Sequence, residues 1–445
     1  MNVRNFYNRA FKIFLFVSLF IFSCAPREFE RPNIILIMAD DLGYGDLGCF
    51  GNKEIQTPFL DSMASEGLKF TDFHSNGSVC SPTRAALLTG RYQQRSGLEG
   101  VIYAEGETRQ TGLDVKELTI ADYMKSEGYA TGVVGKWHLG YHIDYNPIYH
   151  GFDFFRGYVS GNVDYHSHLD GAGIPDWWHD LEKTKEKGYV TDLITKYSVE
   201  FIEKNKDRPF FLYVAHEAPH YPFQGRKDRA DRRLGMDFED HGSRKDKKGA
   251  YKEMIEVMDE GIGQIFEKLE TLGLKENTLV IFCSDNGGLK EVANNGSLNG
   301  AKGSLLEGGH RVPAIARWPG YILPGSVTNQ TILSMDFFPT FVNLVKNEEK
   351  QNLGFDGIDI TRLLIEEKAL SDRTLFWKYR DQKVARNGEW KLLIDKDTAY
   401  LYNLAADVSE QIDLADMEGS IASQLKIELE TWEKDVSKGI KLKTN

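Results

Sequence analysis

The feature that most constrains this chain is the alternation of short apolar runs with amphipathic helical patterns. Such short apolar runs, bounded by polar residues or glycine, are typical of strands buried on both faces of a sheet. Residues 119–127 and 253–270 instead repeat apolar residues at the spacing of a helix that covers a sheet. This alternation predicts an α/β sandwich with a mixed, mostly parallel central sheet. The predicted strands span residues 33–38, 130–134, 210–214 and 278–282.

The pattern changes after about residue 350. Turn residues such as Asn387-Gly388 separate short strands, which predicts a small antiparallel sheet with one helix, over residues 420–435. We therefore divide the chain into a large domain, residues 25–350, and a C-terminal α+β subdomain, residues 351–445. The strands of the small sheet are predicted at residues 375–379, 383–386, 390–394 and 400–403.

One segment of the large domain has a different composition. Residues 225–248 are dense in Arg, Lys and Asp and have no apolar period. This composition indicates a solvated surface insertion.

The first 23 residues have the layout of a secretory signal peptide. Basic residues precede an apolar run at 13–22, which is too short to span a bilayer comfortably. The run ends in Ser23-Cys24, which resembles a bacterial lipobox. We therefore expect lipidation at Cys24 and an exported lipoprotein of the periplasm or outer membrane. A plain signal peptide or a short membrane anchor remains the alternative.

Charge and cysteine content restrict the possible partners. The formal net charge is −12, so a general nucleic-acid binder is excluded, and an anionic substrate requires positive charge concentrated in a pocket. The four cysteines are too few for a disulfide framework. Whether Cys49 and Cys283 pair is left open, with two buried thiols as the default.

Polar residues follow the predicted strands at the edge where ligands bind in open α/β sheets. Asp40 and Asp41 follow the first strand, and Asp285 and Asn286 follow the strand at 278–282. These groups offer only oxygen atoms, which suits Ca²⁺ or Mg²⁺ better than zinc. Either pair alone could also be a turn or a helix cap.

A specific motif lies between these strands. The chain reads Cys80-Ser81-Pro82-Thr83-Arg84 and continues to Leu88-Thr89-Gly90-Arg91. Pro82 and the helix formers after it predict a helix that begins near Cys80, and a helix N-terminus attracts anions. Arg84, one turn later, could return toward residue 80 or a bound anion. An ordinary buried cysteine is the alternative.

The motif closely resembles that of the formylglycine-dependent sulfatases, in the alkaline-phosphatase superfamily, over roughly residues 31–415. The resemblance is to secreted polysaccharide sulfatases of Bacteroidetes-type bacteria. It implies an alkaline-phosphatase-like fold and oxidation of Cys80 to formylglycine (3-oxoalanine) by a maturing enzyme. It also implies one Ca²⁺ per chain, with these ligands: Asp40, Asp41, residue 80, Asp285 and Asn286.

The resemblance further implies a catalytic set of Cys80, Arg84, Lys136, His138, His220 and Lys302. In that scheme the hydrated aldehyde at position 80 attacks sulfur, helped by the metal and Asp285. His220, with Lys302, protonates the leaving oxygen. His138 takes the proton that re-forms the aldehyde, while Lys136 orients residue 80 and the sulfate. Taken singly, each lysine or histidine could be a surface or core residue.

The alcohol part of the substrate is expected to contact residues that vary among sulfatases. The candidates are Asn162, Asp164, Tyr165, His166 and His168, together with the basic loop 226–248. Trp177 and Trp178 could stack on sugars or simply pack in the core. Export favours a polymeric substrate: algal glycans such as ulvan or carrageenan first, and glycosaminoglycans second.

Two other functions compete with this hypothesis. A phosphatase or phosphonate hydrolase of the same superfamily with two zinc ions needs a second ligand set, and only one oxygen-rich set is evident. A lipoprotein that only binds sulfated glycan would be expected to have lost a catalytic position, and none is visibly lost. The predicted partners are therefore the glycan and the maturing enzyme, with membrane contact only through the lipid anchor.

Overall fold

The computed structural model describes residues 31–345 and 353–438, and the described residues form one compact unit. The predicted signal peptide, the predicted lipidation site Cys24 and the predicted boundary at residue 350 lie outside the described residues. Within those described ranges, no helix is both long and apolar enough to cross a membrane.

Strands and helices alternate along most of the described chain. The strands are β1 (Asn33–Ala39), β2 (Leu68–Phe70), β3 (Phe73–His74), β4 (Ala130–Lys136), β5 (Phe154–Tyr158), β6 (Trp178–His179), β7 (Glu182–Lys183), β8 (Phe210–Ala215), β9 (Thr278–Ser284), β10 (Ala314–Arg317), β11 (Ser326–Thr328), β12 (Ile332–Leu333), β13 (Thr374–Tyr379), β14 (Gln382–Asn387), β15 (Trp390–Asp395) and β16 (Thr398–Asn403). The α-helices are α1 (Pro58–Ser65), α2 (Cys80–Thr89), α3 (Ile120–Ser126), α4 (Val190–Lys204), α5 (Lys247–Thr271), α6 (Glu307–His310), α7 (Phe337–Val345), α8 (Thr361–Glu366) and α9 (Gly419–Val436). Short 3₁₀ helices cover Gly48–Phe50, Gln93–Ser96, Glu107–Gln110, Ile143–Tyr145, Pro147–His150 and Ser334–Asp336.

The central sheet has ten strands in the order β11-β2-β10-β9-β1-β8-β4-β5-β6-β7. The middle strands β9, β1, β8, β4 and β5 pair in parallel, and β10 and β6 flank them in antiparallel pairings. The prediction of a mixed, mostly parallel sheet is confirmed. The strands extend slightly beyond their predicted ends, so that β4 reaches Lys136 and β9 reaches Ser284.

Helices cover both faces of this sheet, which explains why its strands read as continuous apolar runs. On one face, Leu212 of β8 shares an apolar cluster with Ile194 of α4 and Met258 of α5. On the other face, the ring of Phe211 lies 6.1 Å from that of Phe341 in α7. The site described below therefore rests on strands that are fixed from both sides.

The C-terminal part forms a separate four-stranded antiparallel sheet, β13 to β16, with α9 packed on it. The ring of Trp432 in α9 stacks on Phe376 of β13 at 5.2 Å between centroids. The predicted small sheet with one helix is confirmed. Cys49 and Cys283 are both free thiols, and Cys283 is buried while Cys49 is half-buried.

The basic insertion only partly matches its predicted solvated character. Residues 225–246 contain no helix or strand, and most of their side chains are half-buried or exposed. Arg232 is different, because only 1% of its surface is exposed. The last residues of the predicted insertion belong to α5, which begins at Lys247.

Candidate active site

The predicted catalytic and metal-binding residues come together at the carboxyl edge of the parallel strands. β1, β4 and β9 each end at this edge, and the segment after β8 brings in His220. Lys302 arrives on the loop between β9 and α6, and Cys80 is the first residue of α2. The residues placed by the three strand ends are Asp40, Asp41, Lys136, His138, Asp285 and Asn286.

Cys80 is buried at this edge, with 2% of its surface exposed. Its Sγ lies 3.3 Å from Oδ1 of Asp40. Burial, and then the charge of Asp40, raise the pKa of the Cys80 thiol well above its ordinary value. An unmodified thiol at this position therefore stays protonated at neutral pH and is a poor nucleophile.

Arg84 organises the carboxylate behind Cys80. Its Nη2 donates to Oδ2 of Asp285 at 2.9 Å, and its Nη1 donates to the Tyr213 hydroxyl and to the Lys136 carbonyl, both at 3.2 Å. Arg84 is fully buried. The sequence suggested that Arg84 returns toward residue 80 or a bound anion, whereas its hydrogen bonds in this structure go to Asp285 and its neighbours.

Two lysines neutralise the remaining carboxylates. Nζ of Lys136 donates to Oδ2 of Asp40, and Nζ of Lys302 donates to Oδ2 of Asp41 at 2.8 Å. Burial acts to lower the pKa of both lysines, but the adjacent carboxylates outweigh it and raise the pKa of each. Both ammonium groups therefore remain charged, and both act on Cys80.

The same carboxylates fit a hard divalent cation. Oδ1 of Asn286 is buried without a partner, while its Nδ2 donates to Oδ1 of Asp41 at 2.7 Å. Oxygen donors from Asp and Asn are the ligands that Ca²⁺ and Mg²⁺ prefer. The side chains whose possible ligand atoms lie within 4.8 Å of one another are Asp40, Asp41, Cys80 and His220.

His138 has one ring nitrogen free to accept a proton. Its Nε2 lies 2.9 Å from the Ile102 carbonyl, which can only accept, so Nε2 carries the hydrogen. Nδ1 is buried without a partner. Burial, and then Lys136, lower the pKa of His138 well below its ordinary value, so the neutral ring persists at neutral pH. Its φ of 56° is an uncommon conformation for a residue other than glycine.

His220 has the opposite tautomer. Its Nδ1 donates to the Tyr221 carbonyl at 2.6 Å, and its Nε2 lies 3.6 Å from Oδ2 of Asp41. Burial, and then Lys302, lower the pKa of His220 well below its ordinary value. Nε2 is therefore the atom of this ring that can exchange a proton within the site.

A cavity of about 440 Å³ opens onto these groups. Cys80, His138, His220 and Lys302 line it together with the predicted substrate residue Asn162. Its further walls include Arg232 and Asp240 of the basic loop 226–248, which was predicted to contact substrate. They also include four tyrosines that the sequence analysis did not single out, Tyr103, Tyr141, Tyr221 and Tyr379. The cavity is within the size range of binding sites for small organic molecules.

The other four proposed substrate residues make contacts within the protein. Asp164 accepts the N–H groups of Asp231 and Arg232 at 2.7 and 2.9 Å. The Tyr165 hydroxyl donates to the His220 carbonyl at 3.0 Å. The two histidine rings bond to main-chain carbonyls, His166 to Gly225 and His168 to Gly188. The structure thus places Asn162 on the cavity wall and gives these four residues a role in holding its loops.

The sequence alone gives little indication of which further residues line the cavity. Arg232 belongs to the basic loop considered for substrate contact, but nothing in the sequence separates it from its arginine neighbours. Tyr379 ends β13 of the small sheet, and only the packing of that sheet brings it to the cavity. Trp177 and Trp178 are 1% and 6% exposed, which assigns them to the core rather than to sugar stacking.

Comparisons with known proteins show the family of this chain. The family model described as Sulfatase matches residues 32–347. Arylsulfatase G of Mus musculus is 35% identical over 393 residues, which cover 78% of this chain and 71% of that protein. N-acetylgalactosamine-6-sulfatase of Mus musculus is 34% identical over 372 residues, which cover 78% of this chain and 69% of that protein.

Solved structures extend the similarity to the C-terminal sheet. A crystal structure of Ps i-CgsB in complex with k-i-k-neocarrahexaose matches with a TM-score of 0.83 and 30% identity, and the match covers 92% of this chain and 94% of that chain. A sulfatase from a Bacteroides thetaiotaomicron locus for the metabolism of multiple glycosaminoglycans matches with a TM-score of 0.76 and 26% identity over 91% of this chain and 99% of that chain. The chain belongs to the sulfatase family and is a sulfuric ester hydrolase.

Proposed function

We propose that this sulfatase removes sulfate esters from sulfated glycans, with algal polysaccharides such as carrageenan or ulvan as the first candidates. The observation that carries this proposal is the cavity of about 440 Å³ beside Cys80, whose tyrosines and charged side chains extend the polar site beyond a single sulfate group. Tyrosine rings combined with polar groups suit the faces and hydroxyls of sugars. The solved relative with a bound neocarrahexaose supports the same substrate class.

Glycosaminoglycans are the second candidate substrates. The similarity to N-acetylgalactosamine-6-sulfatase and to the sulfatase of the glycosaminoglycan locus favours them. Both candidate substrate classes are polymers found outside the cell, or fragments of them. An exported enzyme with the predicted signal peptide and lipid anchor would meet them there. We place the enzyme in the periplasm or on the outer membrane as a lipoprotein.

Two groups acquired after translation complete the proposed site. Formylglycine at position 80, made by a maturing enzyme, supplies a hydrated aldehyde as the nucleophile, and Ca²⁺ supplies positive charge against the sulfate oxygens. We assign the ion to Asp40, Asp41, Asp285, Asn286 and residue 80. The unpartnered Oδ1 of Asn286 supports this assignment.

The other residues of the site act on charge and protons. Lys136 and Lys302 hold positive charge beside residue 80, where negative charge develops on sulfate in the transition state. Arg84 holds Asp285 in place. We assign protonation of the leaving oxygen to the Lys302 ammonium together with Nε2 of His220, which carries no proton in the neutral ring and must first take one up. We assign proton removal from residue 80 to Nδ1 of His138.

A substrate panel tests the proposal. The full chain is produced together with a formylglycine-generating enzyme, and sulfate release is measured from carrageenan, ulvan and chondroitin sulfate oligosaccharides. Release from one glycan class, absent in a Cys80→Ala control, would establish the substrate class. No release from any glycan by protein with confirmed formylglycine would overturn the glycan assignment and leave small aryl sulfates as the substrates.

A further inference from the structure

Arg232 is a buried cation with unused hydrogen-bonding capacity on the cavity wall. Its Nη1 donates to the Leu169 carbonyl at 3.1 Å, and its Nε is buried without a partner in the structure. The Phe238 ring lies 5.1 Å from its Cζ. A guanidinium group has five N–H donors, and in the described part of the chain the Leu169 carbonyl is the one hydrogen-bond acceptor found for those of Arg232.

The charge of Arg232 is also poorly compensated. Among the described residues, no carboxylate lies within ion-pair distance of its guanidinium group. Asp240 shares the cavity wall but is exposed to solvent. Carboxyl groups farther away, first Glu217 and then Asp164, act to raise the pKa of Arg232, but burial outweighs them and lowers it. A buried cation without an anion is unfavourable unless a ligand supplies one.

The backbone holds Arg232 in a fixed place. Oδ2 of Asp164 accepts the N–H groups of Asp231 and Arg232 and an Nε2 hydrogen of Gln224, at 2.7, 2.9 and 3.1 Å. These bonds tie the basic insertion to the loop that carries Asn162. Because the side chain is buried and already anchored to Leu169, little conformational freedom is left to lose when it binds a ligand.

We propose that Arg232 binds a second anionic group of the glycan, a sulfate or a carboxylate, while the sulfate to be removed lies at Cys80. Guanidinium groups bind both kinds of anion through paired hydrogen bonds, and both sites open on the same cavity. The inference rests on the proposed function. It makes the enzyme selective for glycans that carry a second charge near the target sulfate.

Binding to a protein that cannot turn over separates this inference from the proposed function. In a Cys80→Ala background, calorimetry measures Kd for carrageenan disaccharides with one or two sulfates and for chondroitin sulfate disaccharides. We expect Arg232→Gln, which can still donate to the Leu169 carbonyl, to weaken binding of the doubly charged ligands by about 10- to 100-fold. The singly charged ligand should lose less than about threefold. Arg233→Gln, at an exposed neighbouring position, is the matched control.

The pattern of losses identifies the anion or refutes its role. Loss confined to the doubly sulfated carrageenan indicates a sulfate, and loss confined to chondroitin sulfate indicates the uronate carboxylate. Equal Kd values for Cys80→Ala with and without Arg232→Gln would overturn the inference. An equal loss of affinity for singly and doubly charged ligands would also overturn it. Failure of the maturated enzyme to release sulfate would instead refute the proposed function, because the binding result does not depend on turnover.

Discussion

At the scale of single residues, the site is a compact arrangement of opposite charges around one buried thiol. Each buried carboxylate near Cys80 is paired with a cation, Asp40 with Lys136, Asp41 with Lys302 and Asp285 with Arg84. Asp41 and His138 have positive φ values of 63° and 56°. Such conformations cost about 1–3 kcal/mol each and cluster at functional sites, which supports the assignment of this edge as the active site.

Replacement of His138 tests its role as a proton acceptor. We expect His138→Ala to lower kcat by about 10²–10⁴-fold, because no other group is assigned to remove the proton from residue 80. His142→Ala, at a solvent-exposed position paired with Asp144, is the control and should leave kcat unchanged. Initial rates with a saturating aryl sulfate measure both variants. Equal kcat for His138→Ala and the parent enzyme would contradict the assignment.

Replacement of Asn286 tests the metal site. We expect Asn286→Ala to weaken Ca²⁺ binding at least about tenfold, because the unpartnered Oδ1 is lost as a ligand. The rise in Tm with added Ca²⁺, after treatment with a chelator, measures this affinity. Asn295→Ala removes an amide that bonds to Gly288 instead, and should keep the full Ca²⁺-dependent shift. An unchanged shift in Asn286→Ala would remove Asn286 from the ligand set.

The sequence pattern is stronger for the residues that gather at the strand ends than for those that line the cavity. Cys80 and its neighbours were predictable because a helix start, a fixed spacing and a family motif coincide there. Asp164 and Tyr165 were predicted to contact substrate, and in the structure they bond to other parts of the chain, since a polar residue in a loop can face a ligand or the backbone equally well. Their hydrogen bonds to Arg232 and His220 join segments far apart in sequence, which no local pattern reports.

At the scale of elements, a buried polar network joins α6 to the small sheet. Lys391 of β15 donates to Glu307 of α6 at 2.9 Å and pairs with Glu410 at 2.8 Å. Nδ1 of His310 lies 2.9 Å from Nδ1 of His74. The spacing of His74, Glu307 and His310 would fit a metal ion, but the Lys391 ammonium group already donates to the Glu307 carboxylate. The network therefore acts as a structural connection.

This network predicts loss of stability in acid. Burial acts to raise the pKa of Glu307, but Lys391 outweighs it and holds that pKa well below its ordinary value of 4.5. Burial also lowers the pKa of His74 and His310 below 6.5. The unfolded chain then binds more protons than the folded protein, so the free energy of unfolding falls as pH falls below about 6.5, and further below about 4.5.

Tm measured between pH 7.5 and 4 checks this prediction. Glu307→Gln should lower the free energy of unfolding at pH 7 by about 3–5 kcal/mol, because it breaks a buried ion pair. It should also reduce the fall in Tm below pH 5. Glu182→Gln, at an exposed position in β7, should reproduce the parent profile. If Tm of Glu307→Gln falls with pH in parallel with Tm of the parent protein, Glu307 does not contribute to the loss of stability in acid.

The sequence predicted the type of an element where the apolar pattern was strong, but it did not predict where each element ends. β1 and β8 are buried on both faces, and their runs predicted them almost to the residue. β4 extends to Lys136 because a charged residue can continue a strand when a carboxylate pairs with it, here that of Asp40, directly after β1. The short strands β6 and β7 have no distinctive pattern, since β6 is defined by its pairing with β5 and β7 by its pairing with β6.

At the scale of the whole molecule, the small sheet is part of the catalytic unit. The apolar cluster beneath it includes Val79, directly before Cys80, and Leu305, close to Lys302. The Trp377 indole donates to the Ser75 carbonyl at 2.8 Å. The C-terminal sheet thus supports the segments on which Cys80 and Lys302 lie and adds Tyr379 to the cavity wall.

This packing predicts a single cooperative unfolding transition. Calorimetry of the full chain should give one peak with equal calorimetric and van't Hoff enthalpies, because the apolar core of the small sheet includes Val79 and Leu305 of the large domain and a buried ion pair joins β15 to α6. Two resolved transitions, the second remaining after loss of activity, would show that the C-terminal sheet unfolds independently. The two-domain division made from the sequence predicts the position of the small sheet but could not reveal this shared core.

The most direct test of the central claim relates turnover to the chemistry of residue 80. Preparations with different degrees of maturation are assayed for sulfate release, and mass spectrometry of the peptide that contains residue 80 gives the fraction converted to formylglycine. The account predicts activity proportional to that fraction and a loss of at least about 10³-fold in Cys80→Ala. Full activity in unconverted protein, or in Cys80→Ala, would contradict it.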